Sequence, residues 1–408
     1  MDIKHSSKNY DLIIVGAGPV GLATAYHSVK RGFKVLIVEQ FDFLNQLSSS
    51  SGSTRQFRLQ YAEDYMAKLA IESVNYWDEL QANSNEILRT KVGSLWFGVE
   101  ESNSSEGEIK EAIKTMSKLN IVYESLNKNE IEKNFHFRNL PESYTGFFQK
   151  DGGTINVAAT IRTLRRLCEN TNNITFLFNE KVIDIVATDI VKIKTEKQEL
   201  ISEKLLIAAG PYANDLVKHL GVSLKYEIWQ MVSAYFKIKD STKDLPSWFV
   251  YEDYIAEDPG YYYGFENCEW SNPSFLRVAP AFANDIFINP NQRKSIPNPT
   301  DLKLTSDWVK KRLLFLDPTP HFITTCLAAI PESDKKKMYL DFLNNNGKLN
   351  KNVLIFSCGW AFKYVPILGK ICSDLIVDEN TNYDISHFGI YDEISMSSKV
   401  SSKRRLPF

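Results

Sequence analysis

The feature that most restricts what this chain can fold into occupies its first forty residues. An apolar, β-branched run at 11–15 (DLIIV) leads at once into Gly16-Ala-Gly18-Pro-Val-Gly21. A helical stretch then continues to about Arg31, and 34–38 (KVLIV) reads as the next strand. Strand, glycine-rich turn, helix and strand make a βαβ unit, the phosphate-binding start of an α/β fold. Gly16 permits the tight turn, Gly18 lets backbone N–H groups approach a pyrophosphate, and Gly21 lets the helix pack on the sheet. The helix N-terminus turns the positive end of its dipole to the phosphates. Glu39, at the end of the second strand, is placed to accept both ribose hydroxyls of an adenosine and to repel an extra 2′-phosphate.

The rest of the chain bears on which dinucleotide that is. An NAD dehydrogenase completes a second βαβ half directly, whereas here a Ser/Gly-rich loop at 48–53 and a mixed region intervene. Buried-strand character returns only at 205–210 and again near the carboxy end, so separated segments contact the ligand and FAD is favoured. Helices are expected near 64–80, 107–118, 156–170, 301–316 and 368–378. Strands are expected at 93–99, 174–177, 182–186, 191–195, 204–208, 338–342 and 353–357, with a loop through Pro141. Between 226 and 282, alternating segments carry Trp229, Tyr235, Trp248, Tyr251, Tyr261, Tyr262, Tyr263 and Phe265. They read as antiparallel walls of a substrate domain.

Composition removes other classes. Length alone, 408 residues, predicts two or three domains. Lys and Arg total 48 against 50 Asp and Glu, and no basic block follows an expected helix, so nucleic acid is not an expected partner. No apolar run reaches the roughly 18 residues of a membrane helix. The nearest, 12–26, is interrupted by glycines and reads as mature structure of a cytoplasmic protein with no membrane partner. Five scattered cysteines (Cys168, Cys268, Cys326, Cys358, Cys372) and six dispersed histidines indicate a reducing compartment and no metal site. Taken alone, each cysteine is an ordinary buried thiol.

Gly16 to Gly21 with Glu39, Ser53-Thr54-Arg55-Gln-Phe-Arg58-Leu-Gln-Tyr61, the 205–210 strand end, Tyr262-Tyr263-Gly264-Phe265, Cys326 and Gly359-Trp-Ala-Phe-Lys363 stand in a distinctive order and spacing. In these features the chain resembles the monomeric sarcosine oxidase and N-methyltryptophan oxidase family over about residues 9–385. The resemblance implies an α/β architecture: a glutathione-reductase-like FAD-binding Rossmann domain with an inserted α+β substrate domain on a mixed or antiparallel sheet. The expected division is 9–85, 150–220 and 322–390 for FAD, and 86–149 and 221–321 for substrate, with 391–408 a disordered tail.

It also implies residue roles. The flavin 8α-methyl is bonded through the sulfur of Cys326, and Gly16, Gly18, Gly21, Glu39, Ser53, Thr54, Arg55, Gly210 and Gly359 contact the cofactor. Arg58 and Lys363 hold the substrate carboxylate, as a planar fork and a point charge. The alternative for each cation is a salt bridge with a nearby acid. Tyr263 forms an aromatic wall, and Tyr61 either shares the cavity or packs beside it. Arg277 takes the place of the family's oxygen-activating lysine and keeps its charge. Ser51, Ala281 and Trp360 stand where the family has histidines, and Ala328 where it has a tyrosine, which suggests a reshaped pocket for a cyclic or aromatic-bearing substrate.

The implied reaction oxidises the C–N bond of a secondary amino acid, N-methyl or cyclic, or a related amine. Hydride passes to flavin N5, water hydrolyses the imine, and O₂ is reduced to H₂O₂ by a monomer whose partners are the substrate and O₂. Three alternatives stay open: a flavin dehydrogenase using a quinone or protein acceptor, a non-catalytic flavoprotein, and an NAD-dependent dehydrogenase.

Overall fold

In the computed structural model, residues 9–102, 104, 106–253, 258–332, 338–345 and 348–391 are described. The tail expected to be disordered lies, apart from Tyr391, outside them.

Two large sheets organise the chain. The first runs Tyr339–Asn345, Lys348–Ser357, Glu199–Ile207, Asn9–Val15, Val35–Val38, Ile174–Leu177, and all neighbours from Lys348–Ser357 onward are parallel. Val182–Ala187 and Val191–Thr195 extend it as an antiparallel flap on Glu199–Ile207. Val35–Val38 is buried at every position, as an interior parallel strand covered on both faces must be. The helix Pro19–Val29 packs on this sheet and on Val365–Asp378, approaching so closely that a Cβ on Gly369 would lie 2.4 Å from the Ala23 Cβ.

The second sheet runs Ile286–Phe287, Tyr226–Ile238, Phe275–Pro280, Tyr261–Gly264, Ser247–Tyr251, Ser94–Gly98, Thr145–Gln149, Glu124–Asn127. The long strand Leu316–Pro331 pairs antiparallel to Tyr226–Ile238. Ser247–Tyr251 and Ser94–Gly98 are parallel, so the sheet is mixed. Period-two alternation sends Trp248 and Tyr262 to one face, where they stack on Trp308 of the helix Pro299–Arg312. That helix is pinned by Arg312, whose Nε and Nη2 donate to the two oxygens of buried Glu252 at 2.6 and 3.0 Å.

A two-stranded ladder, Thr54–Phe57 with Gly153–Asn156, lies between the sheets. Gln56 ties it to the second sheet through its Nε2, which donates to the Trp248 and Gly264 carbonyls at 2.8 and 3.1 Å. The expected boundary between 321 and 322 falls inside Leu316–Pro331. Ten consecutive register pairs, from Tyr226 with Pro331 to Tyr235 with Phe322, join 322–331 to Tyr226–Ile238, so those residues go with the second sheet. The loop expected through Pro141 begins only after a helix, Lys128–Phe135, which the Asn127 and Glu130 side chains cap reciprocally. No helix among the described residues is long and apolar enough to cross a membrane.

Candidate active site

A cavity of about 280 Å³ opens where the parallel strands end, with Val15, Val38, Ala208 and Phe356 in its floor. The glycines shape one end. Gly16 has φ of +112°, and a Cβ there would lie 2.5 Å from the Ala208 oxygen; on Gly21 it would lie 2.1 Å from the Gly16 oxygen. Gly16 thus makes the turn and Gly21 the close helix contact. Gly18 differs: nothing lies within 4 Å of where its Cβ would be, and the helix it opens has no side-chain cap. First-turn N–H groups beside open space are a cradle for an anion. Gly18 and Val20 line the cavity, whereas Gly21 stands behind it.

Glu39 accepts from the backbone N–H groups of Ala17 at 2.9 Å and Phe41 at 3.0 Å, one on each oxygen. Burial pushes its carboxyl up, and the N–H donors of Phe41 and Ala17 oppose that shift. Each oxygen retains a lone pair for a ribose hydroxyl. Gly210, at φ +54°, begins the turn after Ala208-Ala209, and Gly359 comes so close to the Ala329 oxygen, 2.7 Å from a Cβ, that only glycine fits. Both line the cavity, as does Cys326 on the long strand of the second sheet. Arg55 bridges the wall, donating to the carbonyls of Ser49, Ser51 and Thr54 at 2.5, 2.8 and 2.7 Å. Burial lowers its proton affinity, and nearby Arg277 acts in the same direction.

The other end is made of side chains. Arg58, 2% exposed, is ion-paired to Glu106, with its Cζ 4.9 Å from the Tyr61 ring and 4.8 Å from the Trp96 ring. Burial works against its charge most strongly, but Glu106 together with the Tyr61 and Tyr251 hydroxyls outweighs it and holds its pKa above the ordinary arginine value. Lys363 places its Nζ 5.5 Å from the Tyr61 ring centre. Tyr61 therefore lies beside both cations, without itself lining the cavity. The backbone of Lys363 is fixed from the helix Asp64–Ala82, since Trp77 Nε1 donates to its carbonyl at 2.7 Å. Tyr263, Phe249 and Phe265 supply the apolar wall: the Tyr263 and Phe249 rings are 8° from parallel with centres 6.3 Å apart. Trp360 and Ala281 complete the lining.

Arg55, Arg58, Tyr263, Cys326 and Lys363 are thus brought to one cavity with Gly16, Gly18, Glu39, Gly210 and Gly359. Four expected residues are not: Gly21, which stands behind the phosphate turn, and Ser53, Thr54 and Arg277. Ser53 turns its hydroxyl to Ser271 at 2.5 Å and Tyr235 at 3.2 Å. The Thr54 hydroxyl accepts from Arg277 at 2.8 Å, and neither residue lines the cavity. Arg277 also stands behind the wall: its guanidinium donates to the Thr54 carbonyl at 2.6 Å and Ser233 Oγ at 2.6 Å and packs 4.7 Å from the Phe265 ring. Those bonds leave its charge separated from the cavity by Phe265 and Tyr263. Sequence reasoning missed Glu106, which lies in an aperiodic acidic and serine-rich stretch, and Phe249. The period-two pattern that places Tyr263 and Phe265 on one face offered a signal for Phe249.

Residues 11–375 match the family described as FAD dependent oxidoreductase. A putative bifunctional amine oxidase of Dictyostelium discoideum is 34% identical over 94% of this chain, which spans only 37% of that relative's length. A monomeric sarcosine oxidase of Arthrobacter is 31% identical, covering 94% of this chain and 96% of its own. Among solved structures, the open form of an unusual amino acid oxidase essential for nikkomycin biosynthesis superposes with a TM-score of 0.88 at 34% identity, covering 94% of this chain and 98% of that one.

Proposed function

The chain belongs to the FAD-dependent oxidoreductase family, among its sarcosine-oxidase-like members, and on that premise we propose a specific reaction for it. It oxidises the C–N bond of a secondary amino acid, N-methyl or cyclic, delivering the electrons to O₂. The observation that carries this reading is the continuity of one cavity from an uncapped helix N-terminus to two cationic side chains, Arg58 and Lys363.

The residues present fit FAD. Open space at Gly18 beside the first-turn N–H groups suits a pyrophosphate, Glu39 suits a ribose, and Gly210 and Gly359 line the cavity that would take the ring system. When bound, FAD supplies a two-electron acceptor for the hydride. Arg58 and Lys363 hold the substrate carboxylate, and that fixes the carbon next to nitrogen. Glu106 and the rings of Tyr61 and Trp96 orient the guanidinium. Tyr263, Phe249, Phe265 and Trp360 exclude water from the reacting carbon and suit a cyclic or aromatic-bearing substrate. Burial raises the pKa of Tyr263, so its hydroxyl stays protonated and donates rather than acting as a base. No histidine lies among the described lining residues, and the amine is taken up neutral. In this reading Cys326 joins the flavin through sulfur. The enzyme acts as a cytoplasmic monomer, a placement supported by the odd number and scattered positions of its five cysteines.

Acid precipitation of the purified protein tests the attachment: yellow pellet is expected, and Cys326→Ser is expected to move the flavin to the supernatant. Flavin in the wild-type supernatant overturns it. Screening secondary amino acids for peroxide release tests the reaction. The position of Arg277 behind the wall favours a second reading, a dehydrogenase with another acceptor. Flavin bleaching by substrate that air does not reverse selects that reading.

A further inference from the structure

We infer that Arg293 is a positioning residue for flavin attachment, holding the strand that carries Cys326 in register with the loop that seats the cofactor. This rests on the reading of Cys326 given above. Attachment at that cysteine joins two parts of the fold. The 44–50 loop of the nucleotide half, of which Leu44, Asn45 and Ser48 to Ser50 line the cavity, would seat the ring system, while the sulfur belongs to Leu316–Pro331 of the other sheet.

Arg293 spans the two. Its Nη1 donates to the Gln46 carbonyl at 2.7 Å, and its Nη2 donates to Thr325 Oγ1 at 2.9 Å, one residue before the cysteine. The arginine is itself anchored to the sheet by its neighbour. Lys294 N–H donates to Gln230 Oε1 at 2.9 Å, and Gln230 Nε2 donates back to the Lys294 carbonyl at 3.1 Å. Gln230 is fully buried and faces Leu327, and the next register pair is Met231 with Cys326. Ser51 Oγ adds one short bond to the Thr325 carbonyl at 2.8 Å. These guanidinium bonds, with a longer one of 3.4 Å from Nη2 to the Thr325 carbonyl, are charge-assisted and go to neutral acceptors, so the arginine's strongest contacts are spent on this junction.

In the step being positioned, Cys326 gives up its S–H hydrogen and gains a bond to the 8α-carbon, which gives up one hydrogen. Two electrons and two protons pass to the isoalloxazine, and dioxygen then takes them off as hydrogen peroxide. Misplacement of a reacting atom by about 1 Å is enough to slow a step on the order of a hundredfold.

The test compares full-length wild type, Arg293→Ala, Arg293→Lys and Thr325→Val. Total flavin per chain and the acid-precipitable fraction are followed over time after FAD is added to protein purified under flavin limitation. Arg293→Ala is expected to bind FAD but attach it about ten- to a hundredfold more slowly. Thr325→Val should show a smaller slowing, and Arg293→Lys a partial rescue. Attachment at the wild-type rate in Arg293→Ala overturns the inference while leaving Cys326 in place. Loss of total flavin from Arg293→Ala and Thr325→Val alike also overturns it, since the contact then holds the nucleotide pocket rather than the thiol. A wild type that never attaches flavin overturns this inference and the reading of Cys326 together.

Discussion

At the nucleotide end of the cavity the ligand faces backbone: Gly18 with an uncapped helix start, the turn at Gly210, and Gly359 pressed on the Ala329 oxygen. Glu39 lines it beside Glu180 and Asp215, and both oxygens of Glu39 are already held by backbone N–H groups. At the substrate end the groups are side chains on separate elements: Arg58 from the bridging ladder's exit, Glu106 from a loop, Lys363 from the turn Ala361–Tyr364, and Tyr263 from the second sheet. The first end depends on where glycine leaves space, and the second on how charges are paired. A backbone site therefore fails sterically and all at once, whereas a side-chain site loses its function in graded steps.

The largest effect expected on this view is from Gly21→Val. Its Cβ would lie 2.1 Å from the Gly16 oxygen, and flavin binding should be lost outright, read as colourless protein. Retained yellow colour would break the comparison. Arg58→Ala comes next: flavin content should stay unchanged while carboxylate substrates weaken by about 2–5 kcal/mol in kcat/KM, as for truncating one partner of a buried charge pair. An unchanged kcat/KM would remove Arg58 from the site. Glu106→Gln should cost about 1.5–3 kcal/mol in the same assay, the range for a hydrogen bond to a charged group, because the Tyr61 and Trp96 rings still hold the guanidinium.

The smallest expected effect is on stability. Burial holds the carboxyl of Glu266, beside cavity-lining Phe265, up at about 7. Below its ordinary value of 4.5 both folded and unfolded chains carry the proton, so the group contributes no pH dependence there. Between about 4.5 and 7 only the unfolded chain releases it, so stability should fall as pH rises through that window. The fall should not exceed a few kcal/mol at about 1.4 kcal/mol per unit. Thermal melts of Glu266→Gln should lose the Glu266 part of that slope, while Glu39, whose carboxyl burial also pushes up, adds a fall of the same sign at the nucleotide end. A slope that persists undiminished in the variant assigns it elsewhere.

The helix Lys128–Phe135 shows how legibility depends on range. Its capping pair, Asn127 and Glu130, stands in the sequence three residues apart, so the signal was present and local. Arg58 and Glu106 are 48 residues apart, and Arg277 and Thr54 are 223 apart. Nothing in either stretch of chain announces those partners. Arg277 illustrates the consequence: its position in the chain suggested a charge at the reaction centre, and its hydrogen bonds put it behind Phe265.

What the sequence determined by itself is everything set by backbone conformation and short-range period. That includes the glycine turn and its helix, the buried parallel strands, the alternation of the aromatic walls and the kind of cofactor those elements admit. The pairing of charges and the membership of the cavity came instead from how the two sheets pack. Local conformation is fixed by sterics between near neighbours. The position of a guanidinium is fixed by whichever acceptors the packed sheets bring within about 3 Å of it.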